Sequence, residues 1–286
     1  MSIVFSILID GIAYGMILFM ISVGLSVTMG LMRVINLAHG GFAMIGGALT
    51  HWLIAKQGLA FAPAALFGIV LVVVLAVPME KLLYRRIYTL SALQQVLATI
   101  GITFLIIATV NLLFGSTIMP LKLPAALTGS LDLGFRTLPV HRVVVILAGV
   151  IVITSLYALI ERTRFGIDLR AAVDNRNMAA SLGIDTGRVF ASAFGLGAGL
   201  AALGGILGAE LLPIEAYYPL RYMVQFLIVV AVGGMGSIVG SFVAALVLGI
   251  LDTASRYLIP EAGTIVFFLV VMLVLALRPN GVFGRA

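Results

Sequence analysis

Polar side chains are scarce in this sequence, so those inside its apolar runs carry whatever chemistry it can do. They are Thr28, Asn36, His39, Thr99, Thr103 and Asn111, and Asp10 and Glu210 are expected to be the only membrane-embedded acids. No spacing among them fits covalent catalysis. The phosphate-cradling GxxxxGK[ST] loop is impossible because Lys56, Lys81 and Lys122 follow Ala, Glu and Leu. None of His39, His51 and His141 lies in an HExxH, so a zinc protease is unsupported and no metal site is expected. Gly24-Leu25-Ser26-Val27 fits the GxSx of an intramembrane serine protease, but one informative glycine recurs by chance in any glycine-rich span. The chain has no cysteine, which removes disulfides and thiolate metal sites. No catalytic residue and no enzyme activity are therefore expected. What remains is hydrogen bonding to a polar solute, because a polar group left unpaired in hydrocarbon costs several kcal/mol. Asn36, His39, Thr28, Thr99 and Thr103 are the candidate solute-pathway residues. His39 alone serves equally well as a satisfied structural residue near a helix start.

The elements that must position these residues are membrane helices. Of the 286 residues, 62% are hydrophobic and 10% charged, with mean hydropathy +1.23, where soluble domains carry about 25% charge. This composition defines an all-α polytopic membrane protein with eight to nine transmembrane helices, partnered by a lipid bilayer. The net charge of +6 fits arginines near lipid head groups, and no basic run is interleaved with aromatics as a nucleic-acid partner would require. The first residues lack the basic region of a signal peptide and read as mature sequence. Apolar stretches able to cross about 30 Å of hydrocarbon fall at 3–31, 37–55, 60–79, 91–114, 142–160, 189–212 and 262–278. The tract 222–257 is too long for one span and reads as two short helices or a re-entrant break. Placing Arg33, Lys81, Arg85, Arg86, Arg162, Arg164, Arg170, Arg176, Arg188, Arg278 and Arg285 inside puts eleven of the 17 Lys and Arg in the cytoplasm. That orientation needs an odd number of crossings, nine if both halves of 222–257 traverse. The external segment 115–141, with three prolines, reads as an irregular connection.

Glycine supplies the next signal. Gly11/Gly15, Gly195/Gly199, Gly204/Gly208 and Gly236/Gly240 are helix-spaced pairs that let helices approach closely, and most need no further explanation. Two stretches exceed ordinary packing, and broken or re-entrant segments are predicted near 36–47 and 232–240. The second break centres on Gly233, Gly234, Gly236 and Ser237. Their similar small-residue spacing hints at a parallel internal repeat.

One long polar island interrupts the apolar chain. Residues 161–188 hold Glu161, Arg162, Arg164, Asp168, Arg170, Asp174, Arg176, Asp185 and Arg188. Two short helices are predicted, Asp168 capping LRAAV and Asp174 or Asn175 capping RNMAASL, which stops at Gly183. Met178 and Leu182, four apart, give the second helix a narrow apolar face. A docking element has use for caps and such a face; the alternative is a solvated connecting loop.

The stretch GLSVTMGLMRVINLAHGGFAMIGGAL resembles the signature of permease subunits of branched-chain amino acid ABC importers. TRFGIDLRAAVDNRNMAASLGID, VVAVGGMGSIVGSFVAALVLG and LRPNGVFG agree with the same family, in its order and over nearly the whole chain. The resemblance implies a single permease domain, 1–286, in a bacterial-type inner (plasma) membrane. It implies pairing with a second related permease, two cytoplasmic ATPases that bind the ATP, and a periplasmic or tethered solute-binding protein; no cofactor is expected in this chain itself. The family's coupling segment falls on Gly166 to Gly183, within the cytoplasmic segment 161–188, where Gly166, Arg170, Asp174, Met178, Ala179, Leu182 and Gly183 would meet an ATPase. Its polar turn falls on Asn36, Ala38, His39 and Gly40. Many members carry an acid where this chain has Gly41, so an ammonium contact at that point is not expected. An ion-coupled carrier or channel is the alternative class; it would need buried acids or paired charges.

Overall fold

The computed structural model describes residues 2–31, 36–132 and 137–284. Helix α1 (Ser2–Ser26) runs into a π-helical turn, Val27–Leu31, and α2 (His39–Gln57) follows, ending at Gly58. Helix α3 (Phe61–Met79) contains Pro78, which has no N–H for the helical ladder; the next turn, Glu80–Tyr84, widens to π geometry before the single turn α4 (Arg85–Ile87). Helix α5 (Ala92–Phe114) starts at a capping box in which Ser91 and Gln94 satisfy each other's backbone N–H. The external connection 115–141 holds a short helix α6 (Ala125–Thr128) and an antiparallel pair, β1 (Ser130–Asp132) with β2 (Thr137–Pro139). Then come α7 (Val140–Arg162), α8 (Arg164–Asp174), α9 (Arg176–Ser181), α10 (Thr186–Gly208), α11 (Tyr218–Gly233), α12 (Ile238–Leu258) and α13 (Gly263–Leu277).

Six segments, 3–29, 61–87, 92–114, 140–162, 186–208 and 238–258, are long and apolar enough to cross a membrane, and α11 and α13 are shorter apolar helices. The ambiguous tract 222–257 is two helices, α11 beginning earlier than expected at Tyr218, joined by the turn 234–237. The break near 36–47 lies ahead of His39, since 39–57 is one continuous helix. Arg33, counted on the cytoplasmic side, lies outside the described residues.

Helix α1 is the centre of the bundle, packed on α7, α10, α11 and α12. Small residues make this possible. A Cβ on Gly24 of α1 would stand 2.5 Å from the Gly197 carbonyl oxygen of α10, and one on Gly15 2.7 Å from that of Ala245 in α12. Gly195/Gly199 face Val77 and Val73, and Gly204/Gly208 face Ile21 and Ile17, as helix-spaced pairs should. Gly236/Gly240 differs: Gly236 lies in the turn at φ +84, and Gly240 abuts Gly233 across it.

Two acids inside the bundle were not anticipated. Glu80 and Asp252 are both buried, which corrects the expectation that Asp10 and Glu210 stand alone. Each faces an arginine, Glu80 at 3.3 Å from Arg85 and Asp252 at 2.9 Å from Arg256, because a carboxylate withdrawn from water needs a paired charge.

Candidate functional site

Helix α2 begins deep in the bundle. His39 donates through Nε2 to the Ile21 carbonyl at 2.9 Å, ten residues before the end of the π turn at Leu31. Gly41 sits against Ile106 of α5, and Gly40 against Pro219 and Phe226 of α11. Asn36, Ala38, His39 and Gly40 are all buried. The Asn36 Oδ1 accepts from Ala38 N at 3.1 Å and from the Tyr84 hydroxyl at 2.9 Å. The Tyr84 ring lies 4.5 Å from that of Phe194, which meets Phe42 edge-on at 5.6 Å. One side chain thus ties the start of α2 to the turn after α3, and through Tyr84 to α10.

The remaining hydrogen-bonding capacity is specific. Asn36 Nδ2 has no partner among the described residues, and Ala38 gives α2 no side-chain cap. The first N–H groups of a helix lack intrahelical acceptors, and that end carries the positive pole of its dipole. The Gly41 amide is taken by Ala38 O at 2.9 Å, so Asn36 Nδ2 and the amides ahead of Gly41 are the donors at this buried helix start, suited to a carboxylate or carbonyl oxygen. The other pathway candidates turn inward on their own helices: Thr28 donates to Leu25 O at 3.1 Å, Thr99 to Gln95 O at 2.9 Å and Thr103 to Thr99 O at 2.8 Å. Asn111 reaches Ala216 O at 3.4 Å. Tyr84 and Tyr218 were missed. Tyr84 stands in EKLLYRR, where flanking charges read as loop; Tyr218 precedes the assumed start of its helix, yet is fully buried with a hydroxyl that has no partner among the described residues.

The polar island folds onto the bundle as α8 and α9. Thr163 caps α8 by accepting from Gly166 N, while Asp168, the expected cap, lies in the second turn of that helix. The predicted start was five residues late because Arg164, Phe165 and Gly166 lack the pattern of a first helical turn. Asn175 caps α9 by accepting from Met178 N at 3.0 Å, and Gly183 follows the helix at φ +86. Leu169, Ala172 and Ala179 pack inward against Val27, Ile160, Phe190 and Ala193. Gly166 has no room for a side chain beside the Ile160 carbonyl. Arg170 donates to Ile160 O and lies 3.5 Å from Glu161, Arg176 lies 5.3 Å over the Phe190 ring, and Arg85 donates to Gly187 O at 2.9 Å. Asp174 is exposed in the last turn of α8. Facing outward are Ile167, Met178 and Leu182, 57%, 59% and 74% exposed. The inner face is fixed to the bundle; the outer face carries these three apolar side chains among the exposed charges of Arg164, Asp174 and Arg176.

The second break is a tight turn. Gly234 takes φ +93 and Gly236 φ +84, both unfavourable for a side-chain-bearing residue, and Ser237 caps α12 by accepting from Gly240 N at 2.9 Å. Gly233 closes α11 against Gly240.

A bundle of apolar helices around a buried polar helix start, with a capped helical platform at one end, defines a multi-pass membrane transport protein of the permease type. The profile of the family described as branched-chain amino acid transport system / permease component matches residues 7–276; the chain belongs to that family. It is similar to the high-affinity branched-chain amino acid transport system permease protein LivH of Escherichia coli (strain K12), 28% identical over 96% of this chain and 94% of that protein. BraD of Pseudomonas aeruginosa, with the same description, is 25% identical over 97% and 95%, and a probable LivH of Methanocaldococcus jannaschii 25% over 97% and 92%. No solved structure matches. The chain is a multi-pass protein of a bacterial-type inner (plasma) membrane.

Proposed function

We propose that this chain is the transmembrane subunit of an ATP-driven (ABC) importer for a branched-chain or related amino acid, the solute in whose transport its relatives are named. In that assembly it pairs with a second related permease, rests on two cytoplasmic ATPases that bind the ATP, and receives solute from a periplasmic or tethered binding protein. The observation that carries the reading is the platform. Three large apolar side chains, Ile167, Met178 and Leu182, are held outward on short capped helices whose inner faces are locked to α7 and α10. Such a surface is stabilised by docking on protein, and a rigid support transmits the shift of whatever it docks on. Gly166, Arg170, Ala179 and Gly183 shape and fix that support, and the exposed Asp174 would face the partner.

The proposed path for solute passes the start of α2. Asn36 Nδ2 and the first amides of the helix would hold a carboxylate, with His39 keeping the helix start in place and Thr28, Thr99 and Thr103 along the route. The ion-coupled alternative calls for buried acids or paired charges, and Glu80 and Asp252, each within 3.3 Å of an arginine, are such groups; the family match is what favours the importer.

The test is the double substitution Met178→Asp with Leu182→Asp. Burying each side chain in a complete contact is worth about 1.5–3 kcal/mol, and losing half of that total weakens docking about tenfold or more. Both residues lie outside hydrocarbon, so insertion is expected to be normal, with loss of ATPase co-purification and of ATP-dependent uptake. A double variant that retains its ATPases and takes up amino acid at the unaltered rate overturns the assignment of this face.

A further inference from the structure

Glycines from three separate stretches of chain meet at the α11–α12 turn. A Cβ on Gly234 would stand 2.5 Å from Gly284 N, one on Gly281 2.5 Å from Ala231 O, and one on Gly233 2.7 Å from the Gly240 carbonyl carbon. Backbone approaches this close exclude any other residue type. The segment 278–284 therefore lies wedged against the turn. Val282 N donates to Val232 O at 2.8 Å, Gly281 N to Arg278 O at 2.9 Å, and Gly281 takes φ +82 to make the reversal. The base of the Phe283 side chain covers Gly240.

On its other flank the turn leads to the apolar cluster on which the platform is seated. Ile238, first residue of α12, packs both on the main core and on that cluster, which joins Leu169, Ala172 and Ala179 of α8 and α9 to Val27, Ile160, Phe190 and Ala193 of the bundle. The platform thus has two routes into the bundle: along the chain into α7 and α10, and through Ile238 into α12. Helix α12 in turn lies along α1, with Gly249 against Gly11 and Gly15. A turn with two glycines at positive φ would by itself absorb a displacement in its own dihedrals. A third backbone hydrogen-bonded beside it removes that freedom, since close-packed backbone transmits strain.

We propose that the α11–α12 turn, splinted by residues 278–284, is a second transmission arm, and that Ile238 is the positioning residue through which platform movement reaches α12 and α1. The proposal rests on the importer reading, because the movement originates in the partner ATPases.

Two experiments on the assembled complex in proteoliposomes test it. In this cysteine-free chain, Val232→Cys with Val282→Cys can be joined by a short bis-methanethiosulfonate, each thiolate displacing a sulfinate leaving group to form a disulfide. A splint stays seated throughout the cycle, so the crosslinked complex is expected to keep uptake within twofold of the uncrosslinked one; inactivation on crosslinking would make the segment a moving latch and overturn the proposal. Ile238→Ala and Gly281→Val are expected to retain co-purifying ATPases and to lower solute uptake per ATP hydrolysed at least fivefold, with Ile238→Val restoring the ratio. A purely structural role would change yield or melting temperature and leave the ratio alone. If Gly281→Val does not assemble, Ile238→Ala decides, and an unchanged ratio overturns the second arm. Failure of the importer reading looks different: no ATPase would co-purify even with the unaltered chain, while crosslinking at 232 and 282 would still report whether the segment is seated.

Discussion

Asn36 uses one oxygen to accept from two donors on different elements, the Ala38 amide and the Tyr84 hydroxyl. Removing one donor and removing the acceptor should therefore cost different amounts. Tyr84→Phe deletes one neutral hydrogen bond and leaves Asn36 Oδ1 its second donor, for a loss of about 0.5–1.5 kcal/mol. Asn36→Leu leaves both buried donors without an acceptor, at about 1–3 kcal/mol each. Thermal unfolding in detergent should thus place Asn36→Leu well below Tyr84→Phe, and equal melting temperatures would deny Asn36 its linking role. The sequence marked Asn36 and His39 because polar residues in an apolar run must be satisfied somewhere. Their partners were illegible for a physical reason: Tyr84 is 48 residues away from Asn36 in sequence, and which remote backbone or ring closes a hydrogen bond depends on helix crossings that local pattern does not encode. Asp252 was overlooked because its run is apolar enough to hide one acid, and Glu80 because it stands beside Lys81 and reads as a loop charge.

At the scale of elements, hydrophobic length located the apolar helices outside the tract 222–257 to within a few residues, since crossing a bilayer fixes how many apolar residues are needed. Helix starts were less legible. Asp168 has the chemistry of an N-cap, yet Thr163 holds the position, because the cap is chosen by where the incoming α7 ends and Thr163 is the first extended residue after it. Glycine spacing indicated close packing but could not say which glycine meets which helix. That distinction gives a prediction. Gly24 lies against the Gly197 backbone of α10, whereas Gly101 on α5 has open space where a Cβ would be. Gly24→Leu must separate α1 from α10 and should lower stability by at least the 1–3 kcal/mol typical of overpacking. Gly101→Leu should be neutral or stabilising, as replacing a mid-helix glycine removes a penalty of about 1 kcal/mol. Comparable yields and melting temperatures for the two variants would show that the α1–α10 crossing is looser than its geometry.

The whole molecule has two chemically distinct ends. One gathers Asn36 with Tyr84, the platform over Val27, Ile160 and Phe190, and the segment 278–284 on the α11–α12 turn. The other gathers Arg142 at 3.3 Å from Asp10, the Tyr257 hydroxyl donating to Asp10 at 3.0 Å, Glu210 at 2.6 Å from His141, and Met119 N donating to Ile214 O at 2.9 Å. This grouping requires that successive apolar helices, α2 and α11 included, alternate in direction, as the arginine distribution predicts. Arg162, Arg164, Arg170, Arg176 and Arg188 all fall at the first end, which the charge bias of membrane insertion places in the cytoplasm. Asn175 is the probe of choice: it is exposed between α8 and α9, and the chain contains no other thiol. Its side chain caps α9, so Asn175→Cys should cost about 0.5–2 kcal/mol of local helix stability, too little to invert the orientation of the whole bundle. A membrane-impermeant maleimide should leave this variant unlabelled in intact cells and label it once the cytoplasmic side is opened. Labelling in intact cells would put the platform outside, out of reach of any cytoplasmic ATPase, and would overturn the orientation and the coupling mechanism together.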